Sequence, residues 1–355
     1  MPNINSVRRT VHRVRRRIHD GVALPTSRDG FDIPESYRTL ENGVVFLLFD
    51  SGNDDADRIL VFGTQQTLDV LADADDLFLD GTFKIVPELF FQLYTVHAMT
   101  RSGYMIPCIY ALLPNKTRAT YQRLLAELKR LRPNMNPTTI MIDFEQAAIG
   151  ALQAAFPQAN LTGCLFHLSQ CVYRKVTTEG LATQYAADAN ISLHMRMLPA
   201  IAFVPQADVI AAFEAVQEDA PDEVLPVMDY FEDNYIGRLH RNRRRQPKFA
   251  HGLWNVRDRV RNGLPRTNNH IEGFHRKMMA AMCAHHPNFW RFLAVLKKEQ
   301  GITNVVLAQI HAGRVADPTR ATYQLIGERI ATIVDDYDNR PILDFLRGIA
   351  HNLHM

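Results

Sequence analysis

Cysteine is scarce in this chain of 355 residues, with only Cys108, Cys164, Cys171 and Cys283. Four scattered thiols cannot staple a disulfide scaffold, so the expectation is a core built by burial in a reducing compartment. No apolar run approaches the roughly 20 residues needed to span a bilayer, which argues against a transmembrane helix and a membrane partner. The N-terminal arginines are not followed by an apolar h-region, so a secretory signal is not expected. Repeats and low-complexity segments are missing too. What remains, 46% hydrophobic and 22% charged residues, suits an ordinary globular protein with one large domain or two modest ones.

A net charge of +2 hides how unevenly the positive charge is distributed. Arg8, Arg9, Arg13, Arg15, Arg16 and Arg17 precede the first acid. A second cluster holds Arg238, Arg241, Arg243, Arg244, Arg245 and Lys248, and a third holds Arg257, Arg259, Arg261 and Arg266. Any one cluster is most simply a solvated face. Three on one chain favour a polyanion, bound by counterion release and bidentate phosphate contacts. Arg13, Arg15, Arg16, Arg17, Arg241, Arg243, Arg244 and Arg245 are the candidate DNA-binding residues.

Residues 1–42 read as a basic arm and connector, with a helix possible over Val7–Ile18. Residues 43–75 read as a hairpin (Gly43–Asp50 against Arg58–Phe62) followed by a short helix capped by Thr64. Strand-like runs at Leu77–Ile85, Phe90–Thr100 and Tyr104–Leu113 are spaced for an antiparallel meander. A helix to Leu131, a strand over Thr138–Phe144, a helix stopped by Pro157, a short strand and a helix over Phe166–Val176 follow. Residues 76–176 thus form an α/β core with a mixed sheet and flanking helices. Strand signal then vanishes, so residues 177–262 are expected to be an all-helical insertion. Residues 263–312 return to the core with a helix capped near Thr267, and residues 313–355 read as a helical tail.

Three acids stand out. Asp80 ends an apolar strand, Asp143 ends another, and Glu272 lies near a helix start. A buried carboxylate is costly without a partner, and three together repel unless a divalent cation offsets them. Hard oxygen ligands suit Mg²⁺ or Mn²⁺. Taken singly, each acid is also readable as a helix cap or salt-bridge partner, most easily Glu272, which a helix dipole would favour. Glu145, two residues beyond Asp143, competes for the same role. Cys164, His167 and Cys171 can share one helical side, but no second cysteine pair completes a tetrahedral zinc site, so structural zinc is not expected. His275, three residues after Glu272, shares its helix face. Asn268 and Asn269 either cap that helix or orient the glutamate. Trp254 and Trp290 read as core anchors.

Four blocks, Asp80-Gly-Thr-Phe-Lys84, Asp143-Phe-Glu-Gln-Ala-Ala148, Gly163-Cys-Leu-Phe-His-Leu-Ser-Gln170 and Thr267-Asn-Asn-His-Ile-Glu-Gly-Phe-His275, occur in one order. Together they resemble the Mutator-like (MULE) transposases over about residues 40–310. The resemblance implies a ribonuclease H-like core interrupted by a helical insertion. It also implies an Asp80–Asp143–Glu272 triad that is both catalytic and metal-holding. Transposon ends and target DNA would be cut and joined by a homo-oligomer in the nucleus. Cys164, His167, Asn269 and His275 would support the acids or contact phosphate. Many members of the family also carry zinc-binding recognition modules. No cysteine precedes Cys108 and only Cys283 follows Glu272, so the alternative is a domesticated DNA-binding or chromatin-associated factor without catalysis.

Overall fold

The computed structural model describes residues 22–241, 243–317 and 321–353. The helix expected over Val7–Ile18 and the candidates Arg13, Arg15, Arg16 and Arg17 lie outside the described residues. In chain order the elements begin α1 (Glu35–Arg38), β1 (Leu47–Asp50), β2 (Leu60–Phe62), α2 (Gln65–Asp73), β3 (Asp76–Thr82), β4 (Gln92–Met99), β5 (Met105–Leu113) and α3 (Arg118–Leu131). Next come β6 (Thr139–Ile142), α4 (Gln146–Ala155), β7 (Asn160–Gly163), α5 (Leu165–Thr178), α6 (Ala182–Ala187), α7 (Ala189–Ala200), α8 (Val209–Asp219) and α9 (Leu225–Phe231). The rest is β8 (Leu239–His240), β9 (Arg243–Arg244), α10 (His251–Trp254), α11 (Arg257–Arg261), α12 (Asn269–Met282), α13 (Phe289–His311), α14 (Ala321–Asp335) and α15 (Ile342–Ala350). The fold is mixed α/β. Among the described residues, no helix is long and apolar enough to cross a membrane.

The chain divides into two compact units. The first comprises residues up to Thr138 with Gly150–Gln158 and His270–Ala316. Its five strands are antiparallel in the order β1-β2-β5-β4-β3. The hairpin expected at its start is present, with Leu47 opposite Phe62. Seven of the eight β4 residues are buried, as in a central strand covered on both faces. Side chains alternate between those faces. Leu93, Thr95 and His97 take the side of α12 and α13, where Leu93 and Tyr110 pack with Phe274, Met278, Trp290 and Leu293. Tyr94 takes the other side, its ring centroid 5.1 Å from that of Tyr121 on α3. Asp80 pairs with Thr95 and Phe78 with His97, so Asp80 belongs to the α12 face.

The second unit comprises Thr139–Ile149, Ala159–Asn269 and Asp317 onward. Here β6 and β7 are parallel, with Ile142 opposite Gly163. The helices around them bury one apolar core that includes Leu168, Leu198, Phe213, Phe231 and Trp254. Phe345 and Ile349 of α15 join this core, so the C-terminal segment completes the helical region rather than trailing from it. Both tryptophans are buried, as core anchors should be. The stretch expected to be wholly helical also contains the hairpin β8–β9, with Leu239 opposite Arg244. Two residues per strand are too few to leave an alternating apolar signature, which is why the sequence pattern missed it.

Candidate functional site

In the first unit the alternation of β3 turns Asp80 toward α12, where its residue is only 4% exposed. Its Oδ1 accepts from the Gly81 amide at 3.0 Å. Glu272 stands in the first turn of α12. One carboxylate oxygen of Asp80 lies within 4.8 Å of one from Glu272. Two carboxylates at that distance repel one another unless positive charge is supplied between them. His275, one turn further along α12, sets Nδ1 at 3.6 Å from Asp80 Oδ2. Its Nε2 lies 3.4 Å from the Thr95 hydroxyl. The histidine expected to meet phosphate or metal-bound water is therefore seated between Asp80 and Thr95.

Thr95 was not singled out by sequence. The available signal was its place opposite Asp80 in a two-strand alignment, which no motif announces. His97 follows on the same face, and the ring of Phe274 meets it edge-on at 5.1 Å. Burial, reinforced by His275 and then His270, pushes the His97 pKa well below the usual histidine value. His97 is a neutral core residue at neutral pH.

Gln92 accounts for the glycine that follows Asp80. A Cβ on Gly81 would overlap Gln92 Oε1. Gln92 is buried, and its Nε2 donates to the Tyr121 hydroxyl at 2.9 Å and to the Asn115 carbonyl at 3.3 Å.

In the second unit Asp143 comes directly after β6 and is half-buried. Its Oδ1 accepts from the Glu145 amide at 3.2 Å, a turn in which the side chain caps its own backbone. Phe144 is packed edge-on against Tyr235 and Phe249, at 5.6 and 5.1 Å. Gly163 is needed beneath that ring, because an added Cβ would sit 2.6 Å from the Phe144 ring. His167 lies in the first turn of α5 and is half-buried. The Cys164 thiol donates to Asn268 Oδ1 at 2.9 Å and accepts from the Asn268 amide at 3.2 Å. Asn269 opens α12 and is exposed.

The basic cluster is heterogeneous. Arg241, Arg243 and Arg245 are exposed around the β8–β9 hairpin, with Arg241 at a positive φ of 45°. Arg244 is held internally, each of its terminal nitrogens 2.7 Å from a carboxylate, Glu232 for one and Glu214 for the other.

These placements put Asp80 on a buried strand, Asp143 past a strand end and the two flanking motifs on their helices. Residues 77–171 match the MULE transposase domain. The chain carries a MULE transposase domain. Asp80, Asp143, Cys164 and His167 fall inside the matched stretch, whereas Asn269, Glu272 and His275 lie beyond it. No curated protein matches the sequence significantly. A transposase domain implies DNA as the partner, and transposition as the class of activity.

Proposed function

We propose that this chain is the catalytic region of a DDE-type DNA transposase with a ribonuclease H-like core. In this reading Asp80, Asp143 and Glu272 hold Mg²⁺ or Mn²⁺. The observation that carries it is the pairing, inside the first unit, of a buried Asp80 with Glu272 at under 4.8 Å. Two carboxylates this close offer hard oxygen donors that suit a divalent cation. In this reading the acids offer hard carboxylate oxygens, which suit Mg²⁺ or Mn²⁺.

Asp80, Asp143 and Glu272 would hold the cation, which would supply positive charge for the attacking and leaving oxygens of a phosphodiester. The chain's own residues provide the frame. Hydrogen bonding within the β3–β4 ladder fixes the backbone of Asp80, and His275 braces its carboxylate against Thr95. Asp143 supplies the third carboxylate from a turn pinned by Phe144. The exposed Arg241, Arg243 and Arg245 track the phosphate backbone and add affinity without reading sequence. The proposed reaction is hydrolytic nicking at transposon ends, followed by attack of the released 3′-hydroxyl on target DNA. Two ends must be handled together, so the working form is a homo-oligomer on DNA, in the nucleus.

The test is Asp143→Asn. Cleavage of transposon-end DNA in Mg²⁺ should disappear while circular dichroism and melting behaviour stay near those of the wild type. Retained cleavage would overturn the assignment. Wild-type protein that binds DNA in EDTA but never cleaves it in Mn²⁺ would identify a DNA-binding factor instead.

A further inference from the structure

Cys164 stands where three chain segments of the second unit converge. Its amide donates to the carbonyl of Ile142 at 2.8 Å, and Ile142 is the residue before Asp143. The next amide, of Leu165, donates to the carbonyl of Arg266 at 3.1 Å. The Cys164 thiol and Asn268 then exchange the two hydrogen bonds described above. Four bonds from two consecutive residues thus tie the end of β6 to the three residues that lead into α12. Cys164 is 0% exposed and Asn268 is 1% exposed. Asn268 Nδ2 is buried without a hydrogen-bond partner, and its amide oxygen and backbone N–H both meet the thiol. A small apolar residue would fill the space but leave both unmet, and a buried polar group without a partner destabilises the arrangement that buries it.

We infer that Cys164 is a positioning residue. It anchors the start of α12, three residues before Glu272, to the strand end that precedes Asp143. The inference rests on reading Asp143 and Glu272 as catalytic carboxylates. Cys164 acts through backbone and amide groups and need not meet DNA. The motif that joins it to His167 therefore has two separate parts, and the thiol's part is mechanical.

Cys164→Ala removes both thiol bonds, while Cys164→Ser keeps one donor and acceptor on a shorter bond. In the full chain without metal or DNA, alanine should speed amide hydrogen exchange over residues 266–272 by about ten-fold, with α8 and α9 unchanged. Serine should recover most of that protection. In Mn²⁺, alanine should lower kcat for end cleavage by about ten- to a hundred-fold, with KM for DNA unchanged and serine again recovering most of it. Unchanged exchange over 266–272 in the alanine variant would overturn the proposal, as would equal behaviour of alanine and serine. Should alanine fail to fold, Asn268→Ala gives the same comparison from the other partner, and unchanged exchange there would also overturn it. Because exchange is read without catalysis, a wild-type chain that never cleaves would refute the transposase reading and leave this one standing or falling on its own data.

Discussion

The two units hold their acids in opposite ways. Asp80 sits inside a strand paired along its length, nearly sealed from water, with a histidine against its carboxylate. Asp143 sits just past a four-residue strand, half-exposed, with its side chain turned back on the Glu145 amide. The ladder fixes the first acid directly. The second depends on its neighbours, namely Phe144 clamped by Tyr235 and Phe249, Gly163 below the ring, and the Cys164 anchor. A strand interior resists local opening, whereas a strand end takes its geometry from whatever packs against it. Both acids should need their charge, and the second should also be sensitive to the shape of its surroundings.

Changing the charge gives the largest expected effect. Asp80→Asn keeps the shape and removes one of two crowded negative charges. End cleavage should fall by at least about 10³-fold, the loss of several kcal/mol of charge stabilisation. Thermal stability should separate cause from damage. At a hundred-fold excess of Mn²⁺ over its Kd, the wild type should gain about 2.7 kcal/mol, and most of that gain should vanish in the variant. An equal Mn²⁺ gain in both proteins would remove Asp80 from the metal site.

Changing shape comes next. Gly163→Ala drives a methyl group into the Phe144 ring, whose other neighbours are rigid aromatics, with the Leu253 carbonyl 3.3 Å away. Overpacking of this kind costs about 1–3 kcal/mol. Gly81→Ala touches the Tyr94 ring at ordinary contact distance and overlaps only the far end of a glutamine side chain, which can move if it gives up its bonds to Tyr121 and Asn115. Gly163→Ala should lower Tm further than Gly81→Ala, and adding Phe144→Leu should recover part of the loss. The reverse order of Tm values, or no recovery, would break the contrast between a yielding and a rigid neighbour.

Periodicity made much of this legible. The hairpin, the meander, the two later strands and the helices after them follow from alternation, proline stops and caps, and Asp80, Asp143 and Glu272 stood out as acids at element ends. Other features depended on pairing across distance. That His275 faces Asp80 and Thr95 requires the register of β3 against β4, and that Cys164 serves Asn268 requires two segments 104 residues apart to meet. Residue spacing along one element cannot encode such meetings. The basic cluster shows the same limit, because Arg244 looks like its neighbours in sequence and only the fold reveals its two glutamates.

That cluster yields the smallest expected effect and a test within a single hairpin. Arg244→Ala strips Glu232 of its partner and breaks the bond to the Gly237 carbonyl, so it should cost about 1–3 kcal/mol of stability. Partial exposure of Glu214 keeps the loss below that of a sealed ion pair. Arg243 and Arg245 are exposed, so replacing both by alanine should leave Tm unchanged. If they pair with phosphate, the double variant should weaken DNA binding alike for all sequences. The slope of log affinity against log salt should also become shallower by about one for each arginine–phosphate pair removed. A salt slope equal to that of the wild type would assign these arginines to solvent and move the DNA path elsewhere on the chain. A Tm drop matching that of Arg244→Ala would show instead that the hairpin works as one structural unit, with no arginine in it free for nucleic acid.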